Sequence, residues 1–410
     1  MYEKRTVWLI IPLILIIFSV ILLFFEKKVQ IHSKTHERNN ITWYLTRSKQ
    51  CMGVFADSSL IYASEAIGIS QKISNDTLLA ESLIQMGKLQ HISGRNDSAL
   101  SCFKQSLNVS EMVGYKKGIV ASWIQLGKMN YSLGKYDSAL VIFAKSQVMA
   151  AENDLPLLEA EALTYTGKCY HTLGLNEKSV HYYNRSIEMN KKLGNEKMSA
   201  LVMLSKGKIF LNNGDLHQAL DCYLKAYSHF ELNHDYLSMA DVCNHLGSIY
   251  LKINQFDKSL EYHRKAYDNR KLMNNPEGMA KSCNNLGETF MVMGLNDSAI
   301  IYFNRSLGYC NQTGYLKGLV KSLTNLGRMC LKADKNKEAY NYLSSALTQS
   351  EETGYKTGIV ESSLTLGNYY SKQNDCNSAI YYYNLALGND NKNKYDEFDR
   401  EIYKGCTIVI

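Results

Sequence analysis

One glycine recurs through most of this chain at a constant spacing of forty residues, with no insertion or deletion between its copies. A period of this length is typical of stacked structural repeats, in which each unit packs on its neighbours and the array exposes an extended surface. The period therefore predicts a binding protein built as an array. The recurring positions are Gly87, Gly127, Gly167, Gly207, Gly247, Gly287, Gly327 and Gly367.

Two small side chains and one large side chain follow each glycine at fixed offsets. Residues twelve and nineteen positions after the glycine are small, and the residue sixteen positions after it is mostly aromatic. These offsets lie on one face of a helix. We predict that the small residues let helices approach closely and that the large residues fill the space between repeats. The large positions are Phe103, Phe143, Tyr183, Tyr223, His263, Phe303, Leu343 and Tyr383.

Helix boundaries can also be read from the repeated unit. Gly294 indicates a break, and Asp297 behind it is predicted to cap the next helix by accepting bonds from its first free N–H groups. Pro156 and Pro276 each stand twenty-nine residues after a repeat glycine, where proline suits the first turn of a helix. Each unit is therefore predicted to be helix, turn, helix, turn. The same aspartate recurs at Asp97, Asp137 and Asp257.

The pattern resembles the tetratricopeptide repeat family, in a forty-residue variant of the usual repeat of about thirty-four. This resemblance implies an all-α fold, an α-solenoid that winds as a right-handed superhelix, with the first helix of each pair on the concave face. It covers residues 75–388 as eight units, with residues 41–74 as a degenerate first repeat or cap and residues 389–410 as an incomplete further helix or cap. The residues that carry it are clearest in Asn285, Leu286, Gly287, Phe290, Gly294, Ala299, Phe303 and Ser306.

An uncharged segment of nineteen residues runs from Val7 to Phe25. At about 1.5 Å per residue it spans roughly 28 Å, close to the hydrocarbon thickness of a bilayer. The segment therefore predicts a transmembrane helix at residues 7–25, with residues 1–6 as a flank and residues 26–40 as a polar linker. The alternative is a cleaved signal peptide, which would need a shorter apolar core and a small-residue cleavage site.

The side of the membrane is left open by the sequence. Two basic residues precede the segment and four follow it before residue 40, so the positive-inside rule favours cytoplasmic repeats. The resemblance to membrane-anchored bacterial tetratricopeptide repeat proteins instead implies an inner-membrane anchor with extracytoplasmic repeats.

Charge and motifs argue against nucleic acid binding and catalysis. The net charge is +7, of which residues 1–40 supply +3 with six basic and three acidic residues, so the repeats are nearly balanced. The Gly87-Lys88 pair resembles the end of a phosphate-binding loop, but Leu89 follows where Ser or Thr is required. The ten histidines show no metal-ligand spacing. We predict no enzymatic activity, no cofactor and no metal.

A row of basic residues stands one position after the glycines, where the resemblance places the groove. Interleaved with it, four positions after the glycine, come aromatic rings. Such a surface predicts binding of an acidic peptide or a C-terminal carboxylate. The alternative is a solvated lysine row whose alkyl stems cover apolar surface. The basic residues are Lys88, Lys128, Lys168, Lys208 and Arg328, and the rings are His91, Tyr131 and His171.

Asparagines dominate the same surface in the second half of the chain, two or three positions before the glycine. Their amides could bond the backbone of an extended peptide, or they could serve bonds between helices. These residues are Asn244, Asn284, Asn285 and Asn325.

Three functions agree with these features. The first is a membrane-anchored scaffold that binds a protein or peptide in its groove. The second is the sensory domain of a bacterial signal-transduction or transcription-regulatory system, which would act through a separate or missing output module. The third is a purely structural assembly factor, in which the outer face or the open C-terminal end makes the contacts, including self-association through that end.

Overall fold

The computed structural model describes residues 35, 37–52 and 56–389, and every regular element within these ranges is an α-helix. The chain divides into two compact units, unit 1 (Met1–Leu193) and unit 2 (Gly194–Ile410). Helix α1 covers residues 37–51. The helices that follow in unit 1 are α2 (Ala56–Lys72), α3 (Asp76–Ile92), α4 (Asn96–Met112), α5 (Lys116–Ser132), α6 (Tyr136–Glu152), α7 (Pro156–Thr172) and α8 (Asn176–Lys192). Those of unit 2 are α9 (Glu196–Asn212), α10 (Leu216–Leu232), α11 (Tyr236–Lys252), α12 (Phe256–Leu272), α13 (Pro276–Val292), α14 (Asn296–Thr313), α15 (Leu316–Lys332), α16 (Asn336–Glu352), α17 (Lys356–Lys372) and α18 (Cys376–Asn389).

Two of the predictions concern the ends of the chain. The transmembrane helix at residues 7–25 and the segment after residue 389 lie outside the described residues. Among the described helices, none is long and apolar enough to cross a membrane. Residues 37–40, at the end of the predicted linker, are helical. The reason is that Ile41 and Leu45 bury their side chains against Ala66 of α2.

The turns follow a spacing of twenty residues, half the sequence period. From residue 74 to residue 374, every turn places one residue in the left-handed conformation. Glycine fills nine of these positions, with φ between 63° and 81°, because it has no β-carbon to strain there. Turns within a repeat and turns between repeats are therefore built alike. The non-glycine positions are Ser74, Asp154, His234, Asn254, Asn274, Asp334 and Asn374.

Glycine at one of the strained turns should stabilise the fold. Asp154 has a φ of 52°, and Asp154→Gly should raise the free energy of unfolding by about 0.5–1 kcal/mol by removing the β-carbon from this conformation. Urea denaturation followed by circular dichroism measures the change. The control is Asp154→Ala, which keeps the β-carbon and should be destabilising. Equal losses in both variants would show that the carboxylate, rather than the backbone, stabilises this turn.

The predicted aspartate caps are wrong by two residues. In α4 the cap residue is Arg95, which makes no side-chain cap bond, and Asp97 lies in the first turn. The left-handed Gly94 is followed by a single cap residue, so the aspartate falls inside the helix. There its charge still interacts favourably with the helix dipole. The same holds for Asp137, Asp257 and Asp297, whereas Pro156 and Pro276 begin their helices as predicted.

The core of each repeat is the contact between its glycine and its large residue. A β-carbon placed on Gly87 would lie 2.5 Å from Phe103 Cε1, and one on Gly127 would lie 2.6 Å from Phe143 Cε1. The large side chain therefore packs on the first helix of its own repeat. It also packs on the first helix of the next repeat, as predicted: Phe143 stacks on Tyr165 of α7 with ring centroids 5.7 Å apart, and Tyr223 stacks on His245 of α11 at 4.8 Å. The small residues around it are buried as predicted.

Candidate binding site

The basic row in unit 1 lies on the first helices of three consecutive repeats. Lys88 belongs to α3, Lys128 to α5 and Lys168 to α7, and all three side chains are partly exposed. The ring of Tyr165 joins two of them, with Lys128 Nζ 4.5 Å and Lys168 Nζ 4.4 Å from its centroid. We call this surface of α3, α5 and α7 the basic face. Tyr165 stands two positions before Gly167, at the position that Asn285 and Asn325 hold in unit 2, and the pattern of asparagines gave no signal for it.

Lys128 is neutralised by the next repeat. Its ammonium group forms an ion pair with Glu161 of α7, six positions before Gly167. Burial alone would lower the pKa of Lys128, but the Glu161 carboxylate outweighs burial and holds that pKa above its usual value. The charge of Lys128 is therefore balanced by the Glu161 carboxylate.

Lys88 lacks such a carboxylate. The position equivalent to Glu161 in the next repeat is Ala121, and Lys88 makes no ion pair with the part of the chain that the structure describes. Burial lowers the pKa of Lys88, and the positive charges of Lys128 and Lys49 lower it further, against the opposing effect of Glu161. An anion beside Lys88 would relieve this repulsion. Among the described residues, Lys88 and Lys168 are thus the cations of the basic face that have no ion-pair partner, and Lys88 is the one whose pKa is lowered.

Unit 2 carries the same pairing with the signs reversed. Glu288 stands one position after Gly287, and its Oε1 lies 3.0 Å from Lys321 Nζ, six positions before Gly327. Asn325 Nδ2 donates to Glu288 Oε1 at 3.3 Å, and Arg328 Nη1 donates to Asn325 Oδ1 at 3.3 Å. Burial would raise the pKa of Glu288, but Lys321 and Asn325 hold it below its usual value. The predicted ligand residues Asn325 and Arg328 are therefore engaged within the fold.

The remaining asparagines mostly serve contacts between helices as well. Asn284 is 1% exposed; its Nδ2 donates to Gly318 O at 3.3 Å, and its Oδ1 accepts from Ser322 Oγ at 3.1 Å. With its amide turned to satisfy both ends, Asn244 Oδ1 accepts from Arg270 Nη1 and Nη2 at 2.6 and 2.8 Å. Asn284 and Asn244 therefore make bonds between helices, which is one of the two roles predicted for these amides. Asn285 is partly exposed on α13.

The predicted aromatic partners of the lysines have other contacts. His91 Nδ1 lies 2.8 Å from Asn96 Oδ1, and His171 Nδ1 lies 3.2 Å from Asn176 Oδ1, so both imidazoles bind the start of the second helix of their repeat. The Tyr131 hydroxyl lies 3.2 Å from Thr172 Oγ1. Lys208 is exposed and belongs to unit 2. The structure therefore brings Lys88, Lys128 and Lys168 together on unit 1.

Paired helices joined by uniform turns define a repeat protein of the α-solenoid class, whose first helices carry its charged surface. Sequence models of the tetratricopeptide repeat match residues 161–193, 199–271 and 318–392. The chain is a tetratricopeptide repeat protein, and the recognition made from the forty-residue pattern is confirmed. No curated protein matches the sequence significantly.

Solved structures of three proteins share the fold. The apo form of RapI is 14% identical, with a TM-score of 0.64, over 90% of this chain and 99% of RapI. The apo quorum sensor NprR from B. thuringiensis is 13% identical, with a TM-score of 0.65, over 87% of this chain and 99% of NprR. A signal transduction ATPase with numerous domains from Pyrococcus horikoshii, which has a tetratricopeptide repeat sensor, is 14% identical, with a TM-score of 0.64, over 90% of this chain and 55% of that protein.

Proposed function

We propose that this chain is a non-catalytic binding protein that holds an acidic segment of a protein partner on the basic face of unit 1, with Lys88 at the centre. The observation that carries the proposal is the missing carboxylate at Ala121, which leaves Lys88 without the ion pair that Lys128 makes with Glu161.

The surroundings of Lys88 favour an anionic ligand. An ion pair in a partly water-excluded site is stronger than one at an open surface, because fewer water molecules screen the charges. Lys49 of α1 and Lys128 add positive potential at the same place, since both act on the pKa of Lys88. Lys168 extends the potential along the face through its contact with Tyr165. An extended segment with more than one carboxylate fits this arrangement better than a single anion does.

The uncharged segment at residues 7–25 supports the further proposal that the protein is anchored in a bacterial inner membrane and holds its partner there. Family resemblance favours extracytoplasmic repeats, and the distribution of basic residues favours the opposite side. A protease-protection experiment on sealed vesicles distinguishes the two orientations.

A sensory role is the second candidate. NprR is a quorum sensor, and the Pyrococcus horikoshii protein has a tetratricopeptide repeat sensor. The likeness to both concerns the fold, so their role supports this candidate only as an analogy. Sensing would require that ligand binding alters the contacts of this chain with an output protein.

Reversing the charge of Lys88 tests the proposed site. The full-length Lys88→Glu variant in nonionic detergent should bind a fluorescein-labelled peptide of alternating glutamate and serine at least tenfold more weakly than the parent. Its new carboxylate would repel the ligand where the parent attracts it. Fluorescence anisotropy measures the affinity.

The matched control is Lys104→Glu, which makes the same charge change on the exposed side of α4 in the same repeat. It should bind the peptide within twofold of the parent. Equal weakening by both substitutions would mean that net charge alone attracts the peptide. Unchanged binding by the Lys88 variant would remove the basic face as the site.

A further inference from the structure

A turn of sequence Gly-Tyr-x-x-Gly connects three of the repeats to the next. Its tyrosines are Tyr115, Tyr315 and Tyr355. In each turn, a β-carbon on the second glycine would collide with the tyrosine ring, so the ring packs closely against the start of the following helix. The turn thus presents a fixed aromatic surface at the N-terminal end of a first helix.

In unit 1 the tyrosine and the lysine of this turn are both paired with one carboxylate. Glu81 of α3 stands six positions before Gly87, and its Oε1 accepts a bond of 2.6 Å from the Tyr115 hydroxyl. The same oxygen lies 3.1 Å from Lys117 Nζ. One carboxylate therefore satisfies both the tyrosine and the lysine of the turn.

In unit 2 the residue equivalent to Glu81 is Lys281, six positions before Gly287. Its Nζ lies 4.9 Å from the centroid of the Tyr315 ring and 3.0 Å from Glu277 Oε1. Lys317 is the equivalent of Lys117. Lys117 pairs with the Glu81 carboxylate, whereas the equivalent position beside Lys317 holds the ammonium group of Lys281. Lys317 Nζ lies 5.7 Å from the centroid of Tyr355.

A cleft of about 760 Å³ lies between the two turns of unit 2. Lys281, Lys317 and Lys356 line it, and Glu277 is the one carboxylate among its lining residues. Tyr315 and Tyr355 supply aromatic surface, and the cleft is within the usual size range of ligand sites, about 300–1,000 Å³. We call it the turn cleft.

We propose that the turn cleft is a second docking site, which takes an acidic segment of a partner protein. Lys317 and Lys356 belong to different turns, so they suit carboxylates spaced along a chain better than one compact anion. The tyrosine rings provide apolar contact for the segment between its charges. The inference is independent of the basic face, because no residue is shared between the two surfaces.

Lys281→Glu tests the inference, because it recreates in unit 2 the arrangement of Glu81, Tyr115 and Lys117. The new carboxylate should bind the Tyr315 hydroxyl and Lys317, which offsets the loss of the ion pair with Glu277. The fold should therefore hold while the cleft loses its net positive charge. The probe is fluorescein-labelled hexaglutamate, measured by anisotropy on the full-length chain. Every variant also carries Lys88→Glu, so the basic face does not contribute. The expected result is an affinity at least tenfold lower than that of the Lys88→Glu background.

The matched control is Lys337→Glu on the exposed surface of α16, which should leave the affinity within twofold of the background. Equal affinity in the Lys281 variant and the background would overturn the inference. Competition provides a second test. If inorganic phosphate displaces the labelled hexaglutamate at the same concentration as unlabelled hexaglutamate does, the cleft binds a single anion and the inference is overturned. Where the Lys281 variant melts early, Lys317→Gln combined with Lys356→Gln replaces it. Unchanged affinity of that double variant would overturn the inference as well.

Discussion

A Gly287→Ala variant is expected to lose about 2–3 kcal/mol of unfolding free energy, although alanine is normally the better helix former. The added β-carbon would lie 2.5 Å from Cε1 and 2.6 Å from Cδ1 of Phe303. Phe303 is completely buried in a cluster with Leu286 of α13 and Leu326 of α15, so its ring cannot turn away without displacing the core. The helices must therefore move apart at the centre of the repeat.

The control for this variant is Gly308→Ala in α14. A β-carbon there would meet nothing within 4 Å, and the substitution should stabilise the helix by about 0.5–1 kcal/mol. The two variants make the same chemical change in adjacent helices, and urea denaturation compares them. A loss in both would show that general helix properties, and not the contact with Phe303, decide the outcome.

Acidification from pH 7 to pH 4 is expected to remove about 3 kcal/mol of unfolding free energy through His263 alone. His263 occupies the large position that is filled by Phe, Tyr or Leu in the other repeats, and it is 1% exposed. Burial, together with Lys321 and Arg270, lowers the pKa of this imidazole from 6.5 to about 4, while Glu288 opposes the shift.

The direction of the pH effect follows from that lowered pKa. Between pH 6.5 and about 4 the unfolded chain binds the proton at His263 and the folded chain does not. Protons therefore favour unfolding in this window, and stability is complete above it. Thermal melting between pH 7.5 and pH 4 measures the loss.

His263→Phe should flatten the pH dependence of melting, because phenylalanine fills the same position in other repeats and binds no proton. His217→Gln, at an exposed histidine of α10, is the control and should leave the dependence as it is in the parent. A His263→Phe profile that still falls steeply below pH 6.5 would assign the acid sensitivity to other groups, His245 first. Burial lowers the pKa of His245 to about 4 as well.

The sequence predicted the helical pairs and the buried small residues because those features repeat. Gly287 and Phe303 occupy constant positions, and any constant position in an array has a constant environment. The twenty-residue turn was missed because its left-handed residue varies in type, as at His234 and Asp154. The turn positions share a left-handed backbone conformation but not a residue type.

The candidate site was predicted only in part, because ion pairing depends on two repeats at once. Lys88 and Lys128 look alike in their own repeats, and they differ in whether Ala121 or Glu161 follows in the next one. The two roles predicted for the asparagines could not be separated from the sequence for a similar reason. Asn284 reaches Gly318 and Ser322 of the following first helix, and neither residue suggests this contact from its type.

Pairing across the boundary between repeats has a consequence for how such chains diverge. When one forty-residue unit is duplicated or lost, the uniform turns let the backbone close again, while charged residues on either side of the junction acquire new neighbours. A lysine that was neutralised can then become available, and an available one can be neutralised, with no change in any codon that specifies it. The order of the repeats therefore determines which charged residues are paired, in addition to the sequence of each repeat.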